Sequence, residues 1–337
     1  MMRETGVYLA DEQAQRLASL ARQEGRSRAE ILRAAIVAYQ PTGRNDRSFA
    51  LADGFARVDR VHSRSLRSPS RSCGGVSALD LIVDAAPLVA RAQEVTAKGY
   101  RAFKAVFIPY THYHAPLPDV DKVARMMAAL RDAVGPEVEV MVDFHGRPAS
   151  AAAALAYIEA LAPARPMFVE EPVPPGELAA LRAVAERTRV PLATGERLVD
   201  RAEFNDLLQA RAIDIVQPDI CHCGGLLEAK KIAAMAEAVS VGVAPHNPLG
   251  PIAGVAALHF AVATPNHVIQ EEMVGAVPWY DAVVRGPIHM IDGYWQIPEG
   301  PGLGVEVDER ICEAHPYLPE IQHATNAVLS DGTVVDW

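Results

Sequence analysis

From Ala102 to Glu271, short apolar runs alternate with amphipathic stretches, and six successive runs end in ionisable groups: Asp143, Glu170-Glu171-Pro172, Gly195-Glu196-Arg197, Gln217-Pro218-Asp219, His246 and Gln270-Glu271. Runs this short and this apolar read as strands buried on both faces, and the intervening stretches carry helical periodicity. Strand, helix and strand joined by short connections imply a parallel sheet with right-handed crossovers. In such sheets, chemistry gathers at the carboxyl ends of the strands. The run Val138 to Arg147 is typical: Val-Glu-Val-Met-Val leads into Asp143 and His145, which share one face if the strand continues.

Strands are expected over 102–108, 138–143, 167–171, 191–196, 214–219, 241–246 and 267–271. Helices are expected over 79–98, 120–134, 151–161, 177–188, 200–210, 226–239 and 251–263. The pattern is one strand short of an α/β, TIM-like (β/α) barrel. An eighth strand should precede Leu79, yet nothing between Arg60 and Val76 has the composition of a buried one. The expected barrel domain is 78–289, and 290–337 is expected to pack against it as a C-terminal segment.

Residues 1–40 have a different texture. A short run with Val7 and Leu9 precedes one amphipathic stretch ending at Gly25 and a second opening at Ser27. This pattern resembles the ribbon-helix-helix module of small DNA-binding repressors. That family reads DNA from the outward face of its strand, which here would present Glu4, Gly6 and Tyr8, a poor set for the major groove. A DNA-binding or sensor fusion is therefore the contrasting reading, and nucleic acid is not the expected partner. Residues 41–77 carry arginines among serines without sustained periodicity and read as a flexible basic linker.

The formal charge is −10, so no global basic surface advertises nucleic acid or anionic membrane. No apolar run approaches the ~18 residues of a membrane span, and four cysteines are too few to staple a chain of 337 residues. A protein of the reducing cytoplasm is expected. An acidic protein acting on an acidic substrate needs local compensation, which a divalent cation such as Mg²⁺ supplies. Three carboxylates from successive strand ends suit such a hard ion.

The motifs Asp-Phe-His-Gly-Arg, Glu-Glu-Pro, Gly-Glu-Arg, Gln-Pro-Asp, Ala-Pro-His-Asn-Pro-Leu-Gly-Pro and Pro-Gly-Leu-Gly-Val-Glu stand in order along the chain. Together they resemble the barrel of the enolase superfamily, in its mandelate racemase-like branch, and most closely the sugar-acid dehydratases of the galactonate dehydratase type. The resemblance implies Asp143, Glu170 and Glu196 as Mg²⁺ ligands, His246 oriented by Asp219 as base, and His145 as the acid for the leaving β-hydroxyl. It also implies a hydrogen-bonding role for Glu271 towards the substrate. Arg147, Lys104 and His112 complete the expected set as substrate-binding residues.

The implied reaction converts an aldonate to a 2-keto-3-deoxy acid, and the implied partners are a small-molecule sugar acid and further copies of the chain in a homo-oligomer. Racemisation or cycloisomerisation is the alternative on the same barrel. Members using that route carry a second lysine where this chain has Val106, two residues after Lys104. The family's N-terminal capping domain is also absent from the pattern. Cys221-His222-Cys223 invites a zinc reading, but packing is favoured because no second ligand pair stands at suitable spacing.

Overall fold

Eight parallel strands make one sheet: β1 (Ser72–Val76), β2 (Ala102–Ala105), β3 (Glu139–Asp143), β4 (Val169–Glu170), β5 (Leu192–Thr194), β6 (Ile215–Val216), β7 (Gly242–Val243) and β8 (Gln270–Glu272). Their hydrogen-bonded order is β7-β6-β5-β4-β3-β2-β1-β8. The sheet then closes on itself. Val243 N donates to Asn266 O at 2.9 Å and Val268 N donates to Val243 O at 2.8 Å, joining β7 to the chain entering β8. The computed structural model describes Arg22, Ser27, the backbone of 72–76, and residues 85–273, 277–286, 290–291 and 293–316. All eight strands, and the helices between them, belong to the second of two units, His62–Trp337. Apart from Arg22 and Ser27, the ribbon-helix-helix-like segment lies outside the described residues, as does the linker up to Arg71.

The expectation of a missing first strand is corrected by β1. Gly74 pairs with Phe103 on one side and with Glu272 on the other, so β1 fills the gap within the stretch assigned to the linker. Ser-Cys-Gly-Gly-Val carries a single β-branched residue, so side-chain propensity could not announce it. A strand with a ladder on both sides is held through its backbone groups, which any sequence possesses. The closed ring also removes the two exposed edges that a seven-stranded sheet would leave.

Seven helices alternate with the strands: α1 (Ala85–Ala97), α2 (Leu117–Val134), α3 (Ala151–Leu161), α4 (Leu178–Ala185), α5 (Arg201–Gln209), α6 (Leu226–Glu237) and α7 (Pro251–Val262). Local chemistry sets their ends. Ser150 caps α3 by accepting from Ala153 N, and Pro116 and Gly135 bracket α2. At α5, Asp200 accepts from Glu203 N while the Glu203 side chain accepts from Asp200 N, a reciprocal capping box. Most observed strands are shorter than the apolar runs, and β3, β4 and β8 keep the acids Asp143, Glu170 and Glu271 within the ladder.

The main core lies between strands and helices, with Phe103, Val140, Val142, Leu130, Tyr157 and Phe204 fully buried. A second apolar layer fills the barrel interior: Ala102, Met141, Phe168, Ala193, Ile215, Ala244 and Ile269, each in or directly beside one of the strands β2 to β8. Fully burying a side chain such as Met141 or Phe168 contributes about 1.5–3 kcal/mol. This layer is also the floor of the site. Strand alternation puts the residues two positions further on above it: Lys104, Asp143, Glu170, Gln217, His246 and Glu271.

Candidate metal and acid-base site

Asp143, Glu170 and Glu196 each offer a carboxylate oxygen, and these three atoms lie within 4.8 Å of one another. Asp143 ends β3 and Glu170 ends β4, in register with each other. Glu196 reaches the group after Gly195, whose φ of 141° turns the chain. A Cβ at Gly195 would meet Gln217 N at 3.0 Å, so the turn packs directly against the next strand.

The charge balance favours a cation. Glu271 is a further buried acid beside the triad, and Lys104 the ammonium among them, its Nζ at 2.7 Å from Glu170 Oε2, 2.8 Å from Glu271 Oε1 and 3.8 Å from Asp143 Oδ2. Burial opposes the Lys104 charge, yet Glu170, Glu271, Asp143 and Glu196 outweigh it and raise its pKa well above the ordinary value. Burial and then the neighbouring Glu170, Asp143 and Glu171 push Glu196 up to about 11. Burial likewise raises Glu170. Asp143 goes the other way, since Lys104 and His145 outweigh its burial and hold it at about 2.

Glu170 Oε2 and Glu196 Oε2 are buried without a hydrogen bond. The nitrogens of Lys104 and His246 lie 2.7 and 3.3 Å from them as ion-pair partners. Oxygens crowded together, buried and short of donors fit a hard divalent ion of the Mg²⁺ type.

Two imidazoles stand at different members of this triad. His246 Nδ1 lies 3.0 Å from Asp219 Oδ2 and its Nε2 lies 3.3 Å from Glu196 Oε2. Burial works against a charge on His246, but the bond to Asp219 and the nearby Glu271 outweigh it and raise its pKa. Asp219 is held in turn, its Oδ1 accepting from Cys221 N at 2.7 Å and His222 N at 3.3 Å. His145 Nε2 lies 2.6 Å from Asp143 Oδ2, and His145 N donates to Asp143 Oδ1 at 2.9 Å.

Glu271 faces Lys104 with one oxygen and accepts from Asn247 N at 2.7 Å with the other. Burial opposes its ionisation, but Lys104 and His246 outweigh it and lower its pKa. Eight of the residues singled out in the sequence therefore converge: Lys104, Asp143, His145, Glu170, Glu196, Asp219, His246 and Glu271. Arg147 and His112 sit in the adjoining loops after β3 and β2, which are joined by Thr111 N donating to Arg147 O at 3.2 Å. Arg147 Nη1 donates to Ile108 O at 2.7 Å with its guanidinium 4.9 Å from the Tyr110 ring centre, and the His112 ring stacks on Tyr113.

Sequence reasoning reads Glu171 only as a supporting residue beside the ligand Glu170, and gives Arg197 no role. Arg197 Nη2 lies 3.0 Å from Glu171 Oε2 and donates to His145 O at 2.9 Å. Their signal was an acid and a base beside two candidate ligands, in Glu-Glu-Pro and Gly-Glu-Arg. For Cys221-His222-Cys223 the packing reading holds in part, since Cys223 is buried and Cys221 exposed. Among the described residues, the acid triad alone has metal-ligand geometry. No described helix is long and apolar enough to cross a membrane.

Comparison with known proteins agrees with this geometry. The family model described as enolase C-terminal domain-like matches residues 87–311. A model for ribbon-helix-helix proteins of the copG family matches residues 3–39. A protein named D-galactonate dehydratase from Xanthomonas euvesicatoria is 40% identical over 224 residues, covering 65% of this chain and 58% of that protein. One of the same name from Klebsiella pneumoniae is 40% identical over 225 residues, with the same coverage, 65% and 58%.

The chain thus spans 58% of the length of these curated relatives. Among solved structures, a mandelate racemase/muconate lactonizing enzyme-like protein from Roseovarius has a TM-score of 0.69 at 34% identity, covering 79% of this chain and 72% of that one. An enolase from Agrobacterium radiobacter, described as a putative galactarate dehydratase with bound sodium and L-malate, reaches a TM-score of 0.72 at 32% identity, covering 82% and 73%.

Proposed function

The chain belongs to the enolase C-terminal domain-like family, and from that premise we propose that its barrel dehydrates a sugar acid, an aldonate such as galactonate, to a 2-keto-3-deoxy acid. The observation that carries this reading is the pair of histidines with different carboxylate partners beside one acid triad. Elimination needs a base for the α-proton and an acid for the β-hydroxyl, and two imidazoles in unlike surroundings can divide those tasks.

His246 is the base. With its Nδ1 proton donated to Asp219, Nε2 carries the free lone pair beside Glu196, within the polar layer of the barrel. His246 takes the proton from the carbon next to the substrate carboxylate, and the electron pair of that C–H bond becomes the new C=C bond. His145 gives a proton to the β-hydroxyl, the C–O bond breaks, and water leaves. The resulting enol then tautomerises to the 2-keto acid.

A divalent cation of the Mg²⁺ type held by Asp143, Glu170 and Glu196 would supply stabilisation for the charge that develops on the substrate carboxylate. Lys104 adds a fixed positive charge there, and Glu271 holds Lys104 in place while being held by Asn247 N. Arg147 and His112, on the rim loops, are assigned to the sugar hydroxyls. The enzyme is proposed to act in the cytoplasm as a homo-oligomer.

Val106, standing where a second lysine would oppose His246, disfavours two-sided proton exchange. Incubation with Mg²⁺ and a panel of aldonic and aldaric acids should yield 2-keto-3-deoxy products. Deuterium exchange at C2 without elimination, or an isomerised lactone, would replace dehydration by racemisation or cycloisomerisation. The match at residues 3–39 supports a second reading, a DNA-binding fusion, which a shift of random duplexes at low salt would reveal.

A further inference from the structure

Two non-glycine residues at neighbouring strand ends occupy the left-handed region, His145 at φ 50° and Glu171 at φ 41°. L-residues disfavour that conformation, and it persists where the surroundings over-determine it. Here the surroundings can be named. Gly146 N donates to Glu171 O at 2.8 Å, joining the two turns through the backbone. Arg197, from the next strand end, donates to His145 O at 2.9 Å and lies 3.0 Å from Glu171 Oε2 with the same nitrogen. The Glu171 carboxylate is buried, so this contact is sheltered from water. The turn of His145 in turn directs its backbone N–H and its ring towards the two oxygens of Asp143.

We infer that Arg197 and Glu171 are a positioning pair that holds His145 in its left-handed turn and thereby aims the acid of the elimination. The inference rests on the proposed dehydration for its catalytic consequence and on geometry for its structural one. Arg197 acts on His145 through the backbone carbonyl and only grazes the triad, its Nε 3.8 Å from Glu196 Oε1, while His246 answers to Asp219 on another strand. Loss of Arg197 therefore separates the two halves of the reaction. Proton removal by His246 continues, and departure of the hydroxyl fails for want of an aligned acid.

The test is Arg197→Met in the full chain, assayed with Mg²⁺ in deuterated buffer on the sugar acid that the wild type dehydrates. Elimination should fall about 100-fold, the usual effect of a displacement near 1 Å, while C2 deuterium exchange and calorimetric Mg²⁺ affinity stay within about three-fold. Exchange and elimination falling together would overturn the pairing, since that is what a merely structural ion pair gives. If the methionine variant does not fold, Arg197→Lys keeps the charge without the planar fork and should separate the two rates in the same direction. Should the wild type dehydrate no sugar acid, the proposed reaction fails by itself, and a crystal structure of the variant decides the clamp. His145 leaving the left-handed region and Asp143 would support it, and His145 unmoved would refute it.

Discussion

Asp219 Oδ2 lies 3.0 Å from His246 Nδ1, although the two residues come from different strand ends 27 positions apart. This bond determines which ring nitrogen carries the proton and which faces the acid triad. Asp219→Asn removes the charge that favours that tautomer. Deuterium exchange at C2 should fall about 10²–10⁴-fold, with Mg²⁺ affinity unchanged because Asp219 is outside the triad. Since His246 must be neutral to accept a proton, activity is lost as pH falls through its raised pKa. The variant's acid limb should therefore lie at lower pH than that of the wild type, read from the pH profile of exchange.

Removing an acid from a crowded cluster should have opposite effects with and without metal. Magnesium at about 100 times its dissociation constant stabilises a protein by about 2.7 kcal/mol, and urea unfolding with and without EDTA would read this in the wild type. Glu196→Ala should abolish the difference, since it deletes one of the triad oxygens. Without metal the variant should be at least as stable as the wild type, because Glu196 is buried beside Glu170, Asp143 and Glu171, which push it up to about 11.

Outside the site, Tyr100 Oη donates to Glu272 Oε2 at 2.6 Å. Burial raises Glu272 from 4.5 to about 7. A folded-state value above the unfolded one means that its contribution is fully present below pH 4.5 and is lost as pH rises through 7. Glu272→Gln cannot ionise, so its stability relative to the wild type should improve over that window by on the order of 1–3 kcal/mol. Urea unfolding at pH 5 and pH 8.5 checks this, and a constant difference between the two proteins would count against it.

The start of α5 provides a test free of the chemistry. Asp200 accepts from Ala202 N and Glu203 N at 2.8 and 3.0 Å, leaving no local substitute if its side chain is removed. Asp200→Ala should destabilise the barrel by about 0.5–2 kcal/mol in urea. Asp200→Ser, which can still cap, should recover most of that loss.

The order of strands and helices was legible because burial imposes period and composition on each element. The helix 151–161 matches α3 to the residue, since Ser150 and the alanine-rich run each act locally. Asp143, Glu170 and His246 were legible for a related reason: strand alternation places a polar residue two positions beyond the apolar one that fills the barrel floor. Ser72–Val76 was not legible, because its pairing with β2 and β8 uses backbone groups that every sequence has.

The sequence by itself therefore determined which residue types stand at the strand ends and how many charges must share one mouth. Tertiary structure alone decided which of them meet. Lys104 is neutralised by Glu170 and Glu271, from positions 66 and 167 residues away. Arg197 reaches back to His145 O across 52 residues. Period and propensity act over a few neighbours in the chain, whereas ion pairing and burial act through space once the barrel has closed.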